Sequence, residues 1–296
     1  MIKLIVTDLD GTLLTKFKSV SDRNREALLK AQAQGVKVAI ATGRGLDSTR
    51  QFIPLLQLDQ YKGYMILNNG QRCMNAETQE ETVNAVIRQE SARSAFRFAH
   101  ENGLQLVMDG EHGFAFYTPQ NLKLYRDVYL ILIRLLPRLR FLFGRIHIFA
   151  LFGFLKTQTV KIITSEEDLN EDYDKIGFTH FKHHLDASID AIHDNFDESM
   201  EIMRVSENWL DGSPKGITKL YGIQKIMEKE GILDDEVMVL GDSENDVTML
   251  SYFKTSVAMG NADPKIKAIA THTTLKNTED GVAEAVERFV LNVEQN

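Results

Sequence analysis

At 296 residues the chain exceeds one typical domain, which implies two domains or one large domain carrying an insertion. Its 43% hydrophobic and 26% charged content is that of a soluble globular protein with a sizeable core, and 42 acidic against 34 basic residues, a net charge of -8, argue against a broad nucleic-acid footprint. The single cysteine, Cys73, excludes an internal disulfide, and the N-terminus opens into a strand pattern instead of an export signal; both point to the cytoplasm.

Leu4 to Thr7 form an apolar run that ends abruptly in Asp8, Leu9, Asp10, Gly11 and Thr12. This is the pattern of a strand buried in a parallel sheet, and such sheets present their reactive groups beyond the carboxyl ends of their strands. Asp8 and Asp10 are two apart and share a face. Their repulsion is relieved by a cation between them or by a proton on one, whereas the alternative is a solvated or helix-capping loop. Ser21 to Asn24 then supply helix-capping residue types, and Ala27, Leu28 and Ala31 recur at helical spacing up to Gly35. Val36 to Ala41 is a second buried strand, running into Thr42, Gly43 and Arg44 and a helix over about 46–58. Tyr64 to Leu67 repeats the pattern and ends in Asn68-Asn69-Gly70, a turn signal. Strand and helix alternate here as in a parallel α/β fold.

Residues 77 to 84 are polar and mark a crossing out of this first region. A helix is expected from about 83 to 102, then a hairpin of Leu104 to Met108 with Gly113 to Tyr117. Further strands are expected at 159–164, 189–192 and 200–205, with a helix over 165–176, so the middle region reads as a mixed α/β unit with antiparallel strands. Leu122 to Lys156 is apolar but interrupted by Arg134, Arg138, Arg140, Arg145 and Pro137. It lacks the roughly 20 uninterrupted apolar residues of a membrane span. It reads as a buried helix pair or a subunit interface, or as an Arg-bearing lid or lipid-surface element. His180, His183 and His184 lie close together without a fourth ligand nearby, which suggests a solvated surface and not a zinc site. Cys73 has no base beside it and reads as an inert, partly buried thiol.

The parallel pattern returns near Trp209. Asp211 to Gly216, with Pro214 early, is expected to open a helix running to about Glu230, placing Lys215 at its start. Glu236 to Leu240 is another buried strand, ending in Gly241-Asp242-Ser243-Glu244-Asn245-Asp246. One domain is therefore split into residues 1–82 and 207–296, around an inserted domain at 83–206. Carboxylates from Asp8, Asp10, Asp242 and Asp246, the Thr42 hydroxyl and the Lys215 ammonium form an all-oxygen site with one cation. Such a set suits Mg²⁺ and phosphoryl transfer.

The four segments Asp8-x-Asp10-Gly11-Thr12, Thr42-Gly43-Arg44, Lys215-Gly216 and Gly241-Asp242-x-x-Asn245-Asp246 resemble, in order and spacing, the motifs of the haloacid dehalogenase superfamily, Cof-type branch. The resemblance implies an α/β, Rossmann-like parallel-sheet core with an inserted α/β cap that selects substrate. It implies Asp8 as nucleophile and Mg²⁺ ligand, and Asp10 as general acid/base whose carbonyl also reaches the metal. Leu9 and Gly43 backbones, Thr42, Lys215 and Asn245 would hold the phosphoryl group, and Asp242 and Asp246 would complete the metal site. The implied activity is hydrolysis of small phosphorylated metabolites, sugar phosphates foremost, through an aspartyl phosphate. A phosphomutase and a non-catalytic phospho-acceptor module are the alternatives, and Leu122 to Lys156 departs from the usual cap composition.

Overall fold

The computed structural model describes residues 1–110, 112–135 and 160–291. The chain divides into two compact units, Met1–Asn84 with Ile217–Asn296, and Ala85–Gly216.

In the first unit eight described strands form one sheet: β1 (Leu4–Asp8), β2 (Lys37–Ala41), β3 (Tyr64–Leu67), β4 (Arg72–Asn75), β5 (Glu81–Val83), β12 (Val237–Gly241), β13 (Thr255–Ala258) and β14 (His272–Thr273), in the order β14-β13-β12-β1-β2-β3-β4-β5. From β14 to β3 all pairings are parallel. All five residues of β1 are buried, which explains its unbroken apolar run: Ile5 faces one apolar cluster, and Leu4 and Val6 the other. Helix α1 (Asp22–Ala33) is capped by the Ser21 side chain, which accepts from the Asn24 amide at 3.2 Å. The hairpin of β4 and β5 lies within and beside the expected crossing; β5 is exposed throughout, and an edge strand of that kind has no apolar alternation to read. Because the chain leaves β1 toward β2 and later returns to β12 on its other side, the sheet order reverses at β1. Ligands of open α/β sheets bind at such a switch point, beyond the carboxyl ends of the strands.

The second unit carries a six-stranded sheet with the order β10-β11-β9-β6-β7-β8, formed by β6 (Gln105–Gly110), β7 (Gly113–Tyr117), β8 (Val160–Ile162), β9 (Tyr173–Thr179), β10 (Met200–Ser206) and β11 (Trp209–Pro214). Helices α3 (Gln89–Glu101) and α5 (Lys182–Phe196) bury Ala92, Ala95, Phe96, Leu185 and Ile192 against Leu106, Met108, Ile176, Phe178 and Leu210. The strand expected at 189–192 is part of α5. Leu185, Ile189, Ile192 and Phe196 recur at helical spacing on its packed face, and a four-residue apolar run does not separate the two readings. The helix expected over 165–176 is a single 3-10 turn, Glu166–Asp168, closed by Ser165 and Asp168 before β9 begins.

The most consequential difference concerns Asp211 to Pro214. These residues end β11, with Pro214 opposite Met200 and Asp211 opposite Gly177, and do not open a helix. The following helix, α6 (Lys219–Glu230), starts only after Gly216, and the boundary between the units falls at Gly216 instead of residue 206. Of the stretch 122–156, residues 122–135 belong to α4 (Gln120–Leu135), where Leu122 is buried and Leu124, Tyr125, Val128 and Ile131 are exposed. The remainder, with Pro137, Arg138, Arg140 and Arg145, lies outside the described residues. Among the described residues no helix is long and apolar enough to cross a membrane.

Candidate active site

Three carboxylates converge where β1 and β12 end. Asp8 closes β1 and is 3% exposed; Asp242 follows β12; Asp246 ends the 3-10 turn Glu244–Asp246 and is fully buried. One oxygen from each lies within 4.8 Å of the others, the group of this kind found among the described residues. Their orientation is fixed by neighbours. Asp246 Oδ2 accepts from the Asp242 and Ser243 amides at 2.9 and 3.0 Å, and Asp242 Oδ1 accepts from the Thr12 hydroxyl at 2.8 Å. Gly11, at φ +84°, permits this approach: a Cβ there would stand 2.2 Å from Asp242 Oδ2.

The ammonium group in this cluster is that of Lys219, the first residue of α6. It donates to Asp8 Oδ1 at 2.5 Å and to Asp246 Oδ1 at 2.7 Å, and its side chain is wholly buried. Lys215, the residue expected from the sequence, belongs to the second unit, where it is exposed and donates to the Asp197 carbonyl at 2.6 Å. The assignment is corrected to Lys219. With β11 running through Pro214, the helix start and its lysine shift by one turn. Thr218, a helix-capping residue type directly before Lys219, is the local signal of the later start.

Three carboxylates against one ammonium leave two formal negative charges in a buried pocket, the charge of one divalent cation. Burial pushes the Asp8 carboxyl up to about 7, opposed by Lys219 and reinforced by Asp246 and Asp242. Burial likewise raises Asp242 to about 6, against the Thr12 hydrogen bond. For Lys219 burial disfavours the charge, but the Asp8 and Asp246 carboxylates outweigh it and the ammonium is held. Asp8 Oδ2 is buried and has no hydrogen-bond partner among the described residues. An orphaned carboxylate oxygen beside two other carboxylates is a fitting ligand for a hard cation such as Mg²⁺.

Asp10 sits at the outer side of this cluster, with 39% of its side chain exposed. Arg44 grips it with two hydrogen bonds, Nε to Oδ2 at 2.6 Å and Nη2 to Oδ1 at 2.5 Å, and Lys18 adds a third at 2.5 Å. Partial burial raises its pKa, but the Arg44 and Lys18 bonds prevail and hold it below the ordinary value. The sequence signal for Arg44 is its place directly after Thr42 and Gly43. Thr42 follows β2, is 1% exposed, and its hydroxyl accepts from the Arg44 amide at 3.2 Å. The Leu9 side chain is buried in the core, leaving its backbone for any ligand. Gly43 lies against Asn69, and Asn245 donates to Asn69 Oδ1 at 3.1 Å while accepting from the Ser243 hydroxyl at 2.7 Å. Asn261 donates its side-chain amide to the Gly11 carbonyl at 2.8 Å. His180, expected on a solvated face, is buried in the second unit and stacked on His184, ring centroids 3.9 Å apart.

A family model described as haloacid dehalogenase-like hydrolase matches residues 5–286. The chain is similar to the 5-amino-6-(5-phospho-D-ribitylamino)uracil phosphatase YcsE of Bacillus subtilis, 29% identical, with 98% of this chain and 96% of that protein covered. Its fold is similar to that of a haloacid dehalogenase-like hydrolase from Bacteroides thetaiotaomicron (TM-score 0.76, 26% identity, 97% and 99% of the two chains covered). It is also similar to a sugar phosphatase of HAD subclass IIB (TM-score 0.69, 25% identity, 97% and 98% covered).

Proposed function

The chain belongs to the haloacid dehalogenase-like hydrolases and is a phosphatase of that family, and from that premise we propose that it hydrolyses small phosphorylated metabolites with Asp8 as nucleophile and Mg²⁺ as cofactor. The observation that carries the reading is the Asp8 carboxylate, bonded to Lys219 through one oxygen, with Asp242 and Asp246 beside it and its second oxygen unpartnered. Asp8, Asp242 and Asp246, with the Asp10 carbonyl, would hold Mg²⁺, which supplies charge neutralisation for the phosphoryl oxygens.

Asp8 attacks phosphorus, so that an Asp8 O–P bond forms as the bond from phosphorus to the leaving oxygen breaks. Asp10 gives that oxygen a proton, then takes one from the water that hydrolyses the aspartyl phosphate. Arg44 holds Asp10 ionised in this structure, so proton donation requires Asp10 to release that fork and take up a proton. Lys219 neutralises the carboxylate and the transferring group, while the Thr42 hydroxyl, the Asn245 amide and the backbone amides of Leu9 and Gly43 position the phosphoryl oxygens. The unit Ala85–Gly216 serves as the cap that selects the leaving group. Relatives named for a sugar phosphate and for a phosphorylated ribityl compound support a small polar metabolite as substrate.

The test is phosphate release from a panel of phosphorylated metabolites with Mg²⁺ and with a chelator, for the native chain and Asp8→Asn. Release that needs both Mg²⁺ and Asp8 is the expected outcome. No release from the panel, or an Asp8→Asn variant as active as the native chain, overturns the proposal.

A further inference from the structure

One edge of the first unit's sheet is built the reverse way from its centre. Ile66, Cys73 and Thr82 stand opposite one another across β3, β4 and β5 and so share a face, on which Ile66 and Cys73 join Ile223 and Ile226 of α6 in one apolar cluster. Thr82 therefore points to the helix side, while Val83, the one aliphatic residue of β5, is turned to the other face and is 50% exposed. A strand covered by a helix ordinarily turns its apolar residues inward. In place of a packed core, a cavity of about 180 Å³ lies between this edge and α6. Its floor is formed by the buried Tyr64, Cys73 and Ile226, and Thr82 and Asn84 line its sheet side. That is below the roughly 300–1,000 Å³ of drug-sized sites and suits a ligand of a few carbon atoms.

The helix side carries two cations. Lys225 and Lys229 are one turn apart on α6 and both line the cavity, and like charges at that spacing are mutually unfavourable. Their own partners hold them loosely: Lys229 Nζ lies 3.4 Å from Glu80 Oε2, and Lys225 Nζ lies 3.1 Å from Glu228 Oε2, with 52% and 45% of the two lysine side chains accessible. An anion between the ammonium groups relieves their repulsion, and the floor below offers apolar contact to a short carbon chain. The cavity also touches the part of α6 that leads to the carboxylate cluster. The Cys73 thiol donates to the Gly222 carbonyl at 3.7 Å, one turn on from Lys219, and the Asn84 amide donates to Cys73 Sγ at 3.4 Å and to the Gly70 carbonyl at 2.8 Å. Gly70, at φ +98°, lies so close to the residue before Lys219 that a Cβ would stand 2.1 Å from the Thr218 carbonyl oxygen.

We propose that this cavity is an effector site for a small aliphatic carboxylate: Lys225 and Lys229 hold its carboxylate, Tyr64, Cys73 and Ile226 receive its carbon chain, and occupancy steadies α6 and with it Lys219 against Asp8. The binding site stands on its own geometry, and its effect on turnover rests on the phosphatase reading above.

Cys73 is the sole cysteine of the chain, so alkylation of the intact protein by iodoacetamide, followed by mass, reports on the cavity floor alone. Burial pushes this thiol up to about 11, which makes the reaction slow enough to time at mildly alkaline pH. Pentanoate is the probe. At about 20 mM it should slow alkylation about fivefold or more and in a saturable way, as a ligand of roughly millimolar Kd does. Pentan-1-ol and sodium chloride at the same concentration should leave the rate unchanged, and the Lys225→Met/Lys229→Met double variant should lose the protection. With Mg²⁺ present, pentanoate should raise kcat/KM for p-nitrophenyl phosphate about fivefold in the native chain and leave it unchanged in the double variant. Alkylation that pentanoate does not slow, that pentan-1-ol or sodium chloride slows equally, or that is still slowed in the double variant overturns the site. Protection without a rise in kcat/KM overturns the effector role. A native chain that releases no phosphate under either condition overturns the phosphatase reading and the effector role with it, while protection of Cys73 would still establish the cavity as a carboxylate site.

Discussion

Replacing Lys219 with methionine separates the two lysines that compete for the catalytic position. The Lys219 side chain is 0% exposed and its partners Asp8 and Asp246 are 5% and 0% exposed, so Lys219→Met leaves two carboxylates buried without their cation. Breaking a buried pair in this way costs about 3–5 kcal/mol, a large share of the roughly 5–15 kcal/mol that stabilises a domain. With a urea slope of about 2 kcal/mol per molar, the unfolding midpoint of the first unit should fall by roughly 2 M. Far-UV circular dichroism is the suitable signal, because Trp209 lies in the other unit. Phosphate release should fall by about 10²–10³ with loss of the preorganised charge. Lys215→Met removes an exposed side chain bonded to a carbonyl of its own unit, and should change stability by less than about 0.5 kcal/mol and leave turnover intact. A Lys215→Met enzyme without activity, or a Lys219→Met protein whose midpoint stays within about 0.3 M of the native value, would refute the reasoning.

Gly11→Ala places a methyl 2.2 Å from Asp242 Oδ2 at a φ of +84°, so we expect a stability loss of about 1–3 kcal/mol and a weakened Mg²⁺-dependent thermal shift, both read by calorimetry. Arg44→Lys keeps the charge but loses the two-point grip that holds Asp10 ionised; the Asp10 pKa should rise and the pH profile of kcat should move to higher pH with it, and a profile unmoved from the native one would remove Arg44 from the control of Asp10. Burial, with the charge of His184, depresses His180 from 6.5 to about 4. The unfolded chain therefore binds this proton first: the stability is complete above pH 6.5 and is lost as pH falls toward 4, by roughly 2–3 kcal/mol. Urea unfolding followed through Trp209 should show that slope between pH 7 and 4.5, and His180→Asn, which keeps an acceptor for the Phe181 amide, should flatten it. An unchanged slope in that variant would assign the pH dependence elsewhere.

Local order in the chain determined the greater part of this picture. The run into Asp8 and Asp10, the step from β2 into Thr42 and Gly43, and the run into Asp242 each join a buried strand directly to its reactive end, so the strands and the groups at their carboxyl edge are legible together. The tertiary structure decided what depends on partners distant in sequence. Lys219 and not Lys215 meets Asp8 because β11 pairs with β10 as far as Pro214 and with β9 as far as Gly212, so the helix begins only at Lys219. Arg44 reaches Asp10 across 34 positions, and His180 is buried by the packing of its unit although Phe181, Lys182 and His183, which follow it, are exposed. A strand's apolar period is written residue by residue, whereas the partner of a charge is set by which distant segments the folded chain brings within hydrogen-bonding reach.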